Sequence, residues 1–382
     1  LNDQYCSSEA KGGRVKLPTV EDVARSAQVS RQTVSNVLNS PAIVTPATRA
    51  RVEAAIAQLG YRPNLSARRL RQRKSETIGI RLDPQLNGIS GAVLDRFLHA
   101  VTEQADARGM RMLLFTAASP AEEIEQIRRL RDGADVDAFV LTATFDHDPR
   151  PDWLIANNVP FVTFGRPWGI DDMDEPHHRW VDIDGRLGVY DATVHLIERG
   201  ATAIAWVGWP GTGGTGGDRR AGWADAMRER LGCSEADLER LTSETHDSVA
   251  EATAVATARL AERPDLHAMV CASDTLALGA MIAAASAGQP RLPVIGFDNT
   301  PVAAALGISS IEQRLGEAAA GALDLLLGPE GNAVLPNGEQ PGASHRLIAP
   351  TLVVRDPQDL PLHDPTGVAG TDAEPLDRKE TE

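Results

Sequence analysis

Residues 18–70, PTVEDVARSAQVSRQTVSNVLNSPAIVTPATRARVEAAIAQLGYRPNLSARRL, decide how the rest of the chain is read. Thr19 and Asp22, three apart, fit a capping box, and Val20, Val23, Ala24 and Ala27 follow at helical spacing, which predicts a short first helix. A tight turn at Gln28-Val29 follows. Ser30 then caps a second helix whose buried stripe is Val34, Val37 and Leu38, leaving Arg31, Gln32, Ser35 and Asn36 outward. Two short helices joined by a tight turn fit a major groove. Arg pairs bidentately with guanine and Gln or Asn with adenine, so the outward residues suit base reading. A third helix is expected from Ala47 to Leu59, behind Thr45-Pro46, with Val52, Ala55, Ile56 and Leu59 inward and Gly60 ending it. The plain alternative is a small helical bundle with a polar face, because helix-turn-helix patterns have many false positives.

The next segment, YRPNLSARRLRQRKSETIGI, tips the balance. From Thr19 to Ile80 the chain resembles the headpiece and hinge of the LacI/GalR family of bacterial transcription regulators, through TVEDVA, VSRQTVSNVLN, VTPATRARV, AIAQLGYRPN, SARRL and TIGI. The DNA-contacting set expected from this match is Thr19, Ser30, Arg31, Gln32, Thr33, Ser35, Asn36 and Asn39. The resemblance further implies that residues 64–73 form a hinge helix when two subunits meet on operator DNA. Leu70 matches the family's minor-groove wedge and Ala67 its neighbour. Apolar wedges unstack a base step and bend the duplex.

Beyond the hinge, apolar runs alternate with amphipathic stretches: TIGIRL, RMLLFTAA, AFVLTA, PFVTFG, WVDI, AIAWVGW, AMVCAS and PVIGFD. Strand, helix, strand repetition argues a parallel sheet with crossover helices, long enough here for two doubly wound lobes. HLIERG, RRAGW, SDTLALGA, VIGFDNT, ISSIEQRLGEAAAGALDLLL and HRLIAPTLVVRD resemble the same family's periplasmic-binding-protein-like effector domain. The expected fold is thus an N-terminal all-α helix-turn-helix headpiece (18–63) and hinge helix (64–73), then an α/β effector-binding and dimerisation domain (74–356). Residues 1–17 read as a disordered extension and 357–382 as a disordered acidic tail. The tail does not resemble a leucine-heptad tetramerisation helix, and a headpiece that reads one half-site needs a partner, so a homodimer is expected.

A ligand between two such lobes sits beside the carboxyl ends of strands. By resemblance, Asp184, Arg219 and Asp274 match family positions that hydrogen-bond the effector, in many members a sugar. Carboxylates and guanidinium groups suit hydroxyls because each makes paired hydrogen bonds. Helix caps for the two aspartates and a salt bridge for Arg219 are the alternatives. Trp168 and Trp209 follow strands and either stack on sugar C–H faces or pack the lobes. Phe297 also follows a strand and would line the cleft. Arg166 either donates to hydroxyls or pairs with the acidic run 171–175, and Asn87 stands for the 83–90 segment. The run GTGGTGG at 211–217 lacks the Gly-Lys-Ser/Thr ending of a nucleotide loop and is expected to be a flexible rim. Residues 289–293, QPRLP, are shorter than the family's usual run before VIGFD, which is expected to shift that loop.

Composition sets the outer bounds. A chain of 382 residues with 42% hydrophobic and 24% charged residues reads as globular, soluble and multidomain. No apolar run suits a membrane helix and the first residues carry no apolar leader core, so a cytoplasmic location is expected. Cys6, Cys233 and Cys271 lack metal or redox spacing, and no nucleophile, base and orienting residue share a motif. No cofactor, no metal and no enzymatic activity are expected. Between Lys11 and Lys74, thirteen Lys or Arg stand against three acids. Two more acids precede them, so the net charge of −15 leaves −23 on residues 75–382. A basic head on an acidic body attracts phosphates locally.

The expected function is an allosteric repressor whose operator binding is controlled by a small effector, a mono- or oligosaccharide. A repressor controlled by a partner protein or a phosphorylated metabolite is the alternative. A sugar-transport component is disfavoured by the basic head. Duplex binding is expected to weaken by about three decades between 50 and 200 mM salt, the behaviour of roughly six phosphate contacts. Single changes at Arg31, Gln32 and Asn36, scored on operator variants, are expected to relax specificity at separate base pairs. Equal weakening on every sequence would make them backbone contacts.

Overall fold

The structure is a computed structural model that describes residues 18–61, 74–82, 91–169, 173, 175–329, 331–338 and 343–355, without the side chain of Asn39. The expected extension, hinge helix and tail, with Ala67, Leu70 and Asn87, lie outside the described residues. Two compact units divide between Lys74 and Ser75.

In the first unit, α1 (Val20–Ala27), α2 (Arg31–Asn39) and α3 (Pro46–Leu59) follow one another, with a 3-10 turn at Pro41–Ile43. The capping box is complete: Thr19 Oγ1 accepts from Asp22 N, and the Asp22 carboxylate accepts from Thr19 N at 2.9 Å. Gln28, at φ 54°, ends α1 in the left-handed region, where its own N–H still meets α1 carbonyls. Ser30 Oγ accepts from Thr33 N at 3.0 Å and opens α2. Pro46 sits in the first turn of α3, and Gly60 closes that helix at φ 61°. Val23, Ala24, Ala27, Val34, Val37, Val52, Ala55 and Tyr61 form one buried cluster, so the three helices share a single small core.

The second unit holds two six-stranded sheets. Its elements in chain order are β1 (Thr77–Arg81), α4 (Gly91–Ala107), β2 (Arg111–Phe115), α5 (Pro120–Asp132), β3 (Ala138–Leu141), α6 (Pro149–Ala156), β4 (Phe161–Phe164) and β5 (Trp180–Ile183). There follow α7 (Gly185–Glu198), β6 (Ile204–Gly208), α8 (Gly214–Leu231), α9 (Glu235–Leu241), β7 (Thr242–Glu244), α10 (Val249–Glu262), β8 (Ala268–Cys271) and α11 (Asp274–Ser286). The last are β9 (Val294–Phe297), α12 (Pro301–Leu306), β10 (Ser309–Glu312), α13 (Leu315–Leu326), β11 (His345–Ile348) and β12 (Thr351–Val353). The first sheet runs β11-β5-β4-β3-β1-β2, and the second β12-β10-β9-β8-β6-β7. Every named pairing is parallel except that of β10 with β12. Strands β3, β6, β8 and β9 are buried at every residue, as parallel strands covered on both faces must be.

Among the described residues the chain passes between the sheets after β5, after β10 and after β11. Asp184 N donates to Ile348 O at 2.9 Å, which ties two of these crossings together. Two of the three crossings therefore lie side by side.

One expectation on this unit is corrected. Residues 211–217 are not a loop throughout: Gly213 caps α8, and the run from Gly214 onward is its first turn. The first four N–H groups of a helix have no intrahelical partner, so glycines there forgo little helical bonding.

Helix α8 packs along α7, and the contact depends on Gly222. A Cβ at that position would stand 2.1 Å from the Arg186 carbonyl oxygen and 3.0 Å from Tyr190 N. Backbone cannot yield as a side-chain tip would, so Gly222→Val is expected to destabilise the second unit by about 2–3 kcal/mol through overpacking. Thermal unfolding checks this. A midpoint equal to the parent's would mean that the two helices do not meet there.

Candidate functional site

The polar face of α2 is self-paired in the absence of DNA. Arg31 meets Glu21 of α1 at 2.9 Å, and Gln32 Nε2 donates to Asn36 Oδ1 at 3.0 Å. Arg31 and Gln32 are exposed, while Thr33, Ser35 and Asn36 are half-buried. The hydroxyls divide by role. Those of Thr19 and Ser30 are engaged in helix capping, and Thr33 Oγ1 lies 2.9 Å from Ser30 Oγ. Arg31, Gln32 and Asn36 hold each other or a neighbour by exposed pairs that release cheaply, since such pairs contribute little to stability.

In the second unit a cavity of about 160 Å³ lies between the lobes. Val93 and Leu94 of α4, Phe164 at the end of β4, Gly165, Arg166 and Trp168 beyond it, and Asp182 of β5 form one side. Thr215, Asp218 and Arg219 of α8 and Gln313 at a crossing form the other. Gly165 has φ +121°, and a Cβ there would stand 2.3 Å from Thr144 Oγ1, so only glycine lets the loop after β3 close against the loop after β4.

Arg166 spans the gap. Its Nε donates to Asp182 Oδ2 at 2.8 Å and its NH2 to Asp218 Oδ2 at 2.7 Å. The guanidinium also lies 4.5 Å from the centre of the Trp168 ring. Burial alone would lower the Arg166 pKa, but Asp182 and Asp218 outweigh it and hold the group charged. Burial pushes Asp182 up, against the pull of Arg166. A second tie comes from Arg96 of α4, which donates to Asp298 O, Asn299 O and Glu312 Oε1 at 3.1, 3.2 and 2.9 Å.

Arg219 forms the floor of the cavity on the second lobe. Its NH1 donates to Ala272 O at 2.6 Å, and its guanidinium sits 3.6 Å over the Phe297 ring. Asp298 Oδ1 is 3.7 Å away and receives Gln313 Nε2 at 2.5 Å. Burial pulls the Arg219 pKa down, and burial pushes Asp298 up to about 7 despite Arg219. Asp298 also has φ 106°, an uncommon backbone for a non-glycine residue and the kind of strain found at ligand sites.

Of the candidate effector residues, Arg166, Trp168 and Arg219 line this cavity. Phe297 lies beneath Arg219, fully buried, and carries the guanidinium instead of facing the cavity. Trp209 stands 5.4 Å from Arg219 and donates to Asp247 Oδ1 at 3.2 Å. Asp184 is not among the lining residues: it caps α7 by accepting from Leu187 N at 2.9 Å. Asp274 is buried inside the second lobe, where it accepts from Thr300 N at 2.7 Å and Ser310 Oγ at 2.6 Å. The cap of α11 is Ser273, so Asp274 serves neither as cap nor as cavity lining. Sequence reasoning missed Asp182, Asp218, Asp298 and Gln313. The available signals were a carboxylate inside the apolar run WVDI and another directly after Phe297.

A profile of bacterial regulatory proteins of the lacI family matches residues 19–64, and a periplasmic binding protein-like domain matches residues 193–356. The HTH-type transcriptional regulator CelR of Thermobifida fusca is 33% identical over 301 residues, 76% of this chain and 84% of that protein. A solved complex of the transcriptional regulator CelR with cellobiose aligns at TM-score 0.62 and 29% identity, covering 89% of this chain and 99% of that one. The lac repressor dimer bound to operator and the anti-inducer ONPF aligns at TM-score 0.71 and 24% identity over 90% of this chain and 99% of that one, a likeness of fold. With a headpiece built for a DNA groove, a two-lobed ligand domain and these relatives, the chain belongs to the LacI family of bacterial transcriptional regulators.

Proposed function

We propose that this regulator is a cytoplasmic, homodimeric repressor, not an enzyme, whose grip on operator DNA is set by a neutral saccharide in the cavity between the lobes. The observation that carries this reading is the charge inventory of the cavity. Arg166 is already matched by Asp182 and Asp218, and Arg219 faces Asp298. Each lining guanidinium thus has an aspartate within 3.7 Å, which disfavours a phosphate or carboxylate as ligand. A ligand with many hydroxyls fits, because guanidinium and amide groups donate while the carboxylates accept. Val93, Leu94, Phe164 and Trp168 offer apolar surface for C–H faces. This favours a free sugar over a phosphorylated metabolite as effector.

A ligand that bridges Arg166, Asp182 and Asp218 stabilises the approach of the two lobes. Any difference in its affinity for two lobe arrangements then shifts operator binding by the same free energy. The two-helix face carrying Arg31, Gln32 and Asn36 supplies base reading, and a second subunit supplies the other half-site.

Calorimetry against neutral sugars and their phosphates tests the proposal. A neutral sugar is expected to bind, to alter operator affinity, and to lose about tenfold or more on Arg166→Gln, the scale of one charge-assisted hydrogen bond. Binding of sugar phosphates without their parent sugars would sink it.

The raised Asp298 pKa gives a stability prediction. The folded protein keeps this proton up to about pH 7, whereas an unfolded aspartate loses it near pH 4. Between these values the folded state binds more protons, so Asp298's contribution makes stability fall as pH rises from about 4 to 7 and level off above. Asp298→Asn is expected to flatten that slope in chemical denaturation across the window, and an unchanged slope would place the proton elsewhere.

A further inference from the structure

A second, smaller cavity of about 110 Å³ adjoins the first and shares Thr144 and Trp168 with it. Its other walls are Phe145, His147 and Asp148 after β3, Pro151 and Asp152 of α6, Pro167, and His178 before β5. The floor is buried: Trp168, Pro167, Pro151 and His178. The mouth is open: Phe145, His147 and Asp152 are exposed, and Phe145 keeps 41% of its surface in solvent.

Three features give this pocket a definite chemistry. The indole Nε1 of Trp168 is buried with no hydrogen-bond partner among the described residues, although the ring is only 7% exposed. A buried donor left unmade is costly, and one at a pocket wall awaits an acceptor. His178 is the counterpart. Burial pushes its pKa down to about 4, so the imidazole is neutral at ordinary pH. Thr163 Oγ1 gives its one hydrogen to Gly165 O at 2.8 Å and must therefore accept from His178 Nε2 at 3.1 Å. That assignment leaves His178 Nδ1 as an acceptor. The residues of the floor thus include an unpartnered donor and an acceptor, the pair that a hydroxyl group can satisfy. Above them, the Phe145 ring is 41% exposed and lies 5.7 Å from the buried Arg150 guanidinium.

The walls are held in place. Arg150, 1% exposed, donates to Thr142 O and Ala143 O, each at 3.1 Å, and pairs with Asp148 and Glu123, which fixes the loop that carries Thr144, Phe145 and His147. Although two histidines and two aspartates line the pocket, no group of three such residues among those described could hold a metal ion. The features point to a neutral polyhydroxyl ring.

We propose that this pocket is a second subsite of the cleft, so that the effector is a disaccharide, with one ring against Arg166 and Arg219 and the other between Phe145 and the Trp168–His178 floor. The proposal rests on the saccharide reading of the central cavity and names its ligand class. Phe145, Asp152 and Trp168 then determine specificity between one ring and two.

The test is calorimetry of the full chain with glucose and galactose against cellobiose, maltose and melibiose. At least one disaccharide is expected to bind about tenfold or more tighter than its component monosaccharides. Phe145→Ala and Trp168→Phe are each expected to cut that disaccharide-to-monosaccharide ratio by about fivefold to tenfold, the scale of one stacking contact or one hydrogen bond. Phe145 is exposed, so its replacement does not threaten the fold. Monosaccharides binding as tightly as every disaccharide, or a ratio untouched by both variants, would overturn the subsite while leaving the central saccharide site standing. Binding of none of the five sugars would overturn the saccharide reading and the subsite with it.

Discussion

The guanidinium of Arg166 ties the two lobes at the cavity between them. Arg166 follows a strand of the first sheet and holds Asp182 of the same lobe together with Asp218 of the second. Removing these charges from water is expensive, and the attraction between them offsets that cost only when the geometry is good. The net gain is therefore small, and the arrangement acts mainly through position. It sets how far α8 stands from the first sheet, and α8 also carries Arg219 and Thr215 into the same cavity. A neutral ligand that offers hydroxyls to the same atoms competes with one tie and replaces it by several. An ion pair whose partners lie on different bodies is thus well placed to couple occupancy to lobe closure.

The second lobe's side of the gap is held by buried contacts. Arg219 is buried on the Phe297 ring and bonded to the carbonyl of Ala272 at the end of β8. Asp274 is buried and bonded inside the same lobe, so the strand ends there are locked before any ligand arrives. This explains why residues that match effector positions by sequence split into two groups. Asp274 lies in the lobe interior and braces the wall, and Arg166, Trp168 and Arg219 line the gap.

The headpiece obeys a similar division of labour. Its caps use the hydroxyls of Thr19 and Ser30 to define two helix starts, and its core is a handful of small aliphatic side chains. With the backbone fixed in this way, Arg31 is held by Glu21, and Gln32 and Asn36 by each other, through weak contacts at the polar face of α2. The charge asymmetry works at longer range. Thirteen basic residues near one end draw phosphates, while the acidic remainder resists lying along a duplex.

Much of this was legible in the residues alone. The spacing of Thr19, Asp22, Val23, Ser30, Val34 and Val37 specified the helix pair, because helical periodicity and capping are local. The apolar runs specified parallel strands for the same reason. What the sequence could not separate were short pieces such as Thr242–Glu244 and Thr351–Val353, whose existence depends on a neighbouring edge. Of the candidates read from the sequence, Arg166, Trp168 and Arg219 line the cavity, whereas Asp184 and Asp274 do not. Asp182 and Asp184 are two residues apart, so strand alternation gives both the same face, and choosing between them needs the point where the strand ends and the helix begins. One lines the cavity, and the other, two residues on, has already entered a helix as its cap. Local chemistry determined which elements form and which end reads DNA. Only the packing of two lobes decided which charges face each other across the gap, because those partners lie far apart in the chain and meet only through the crossing strands.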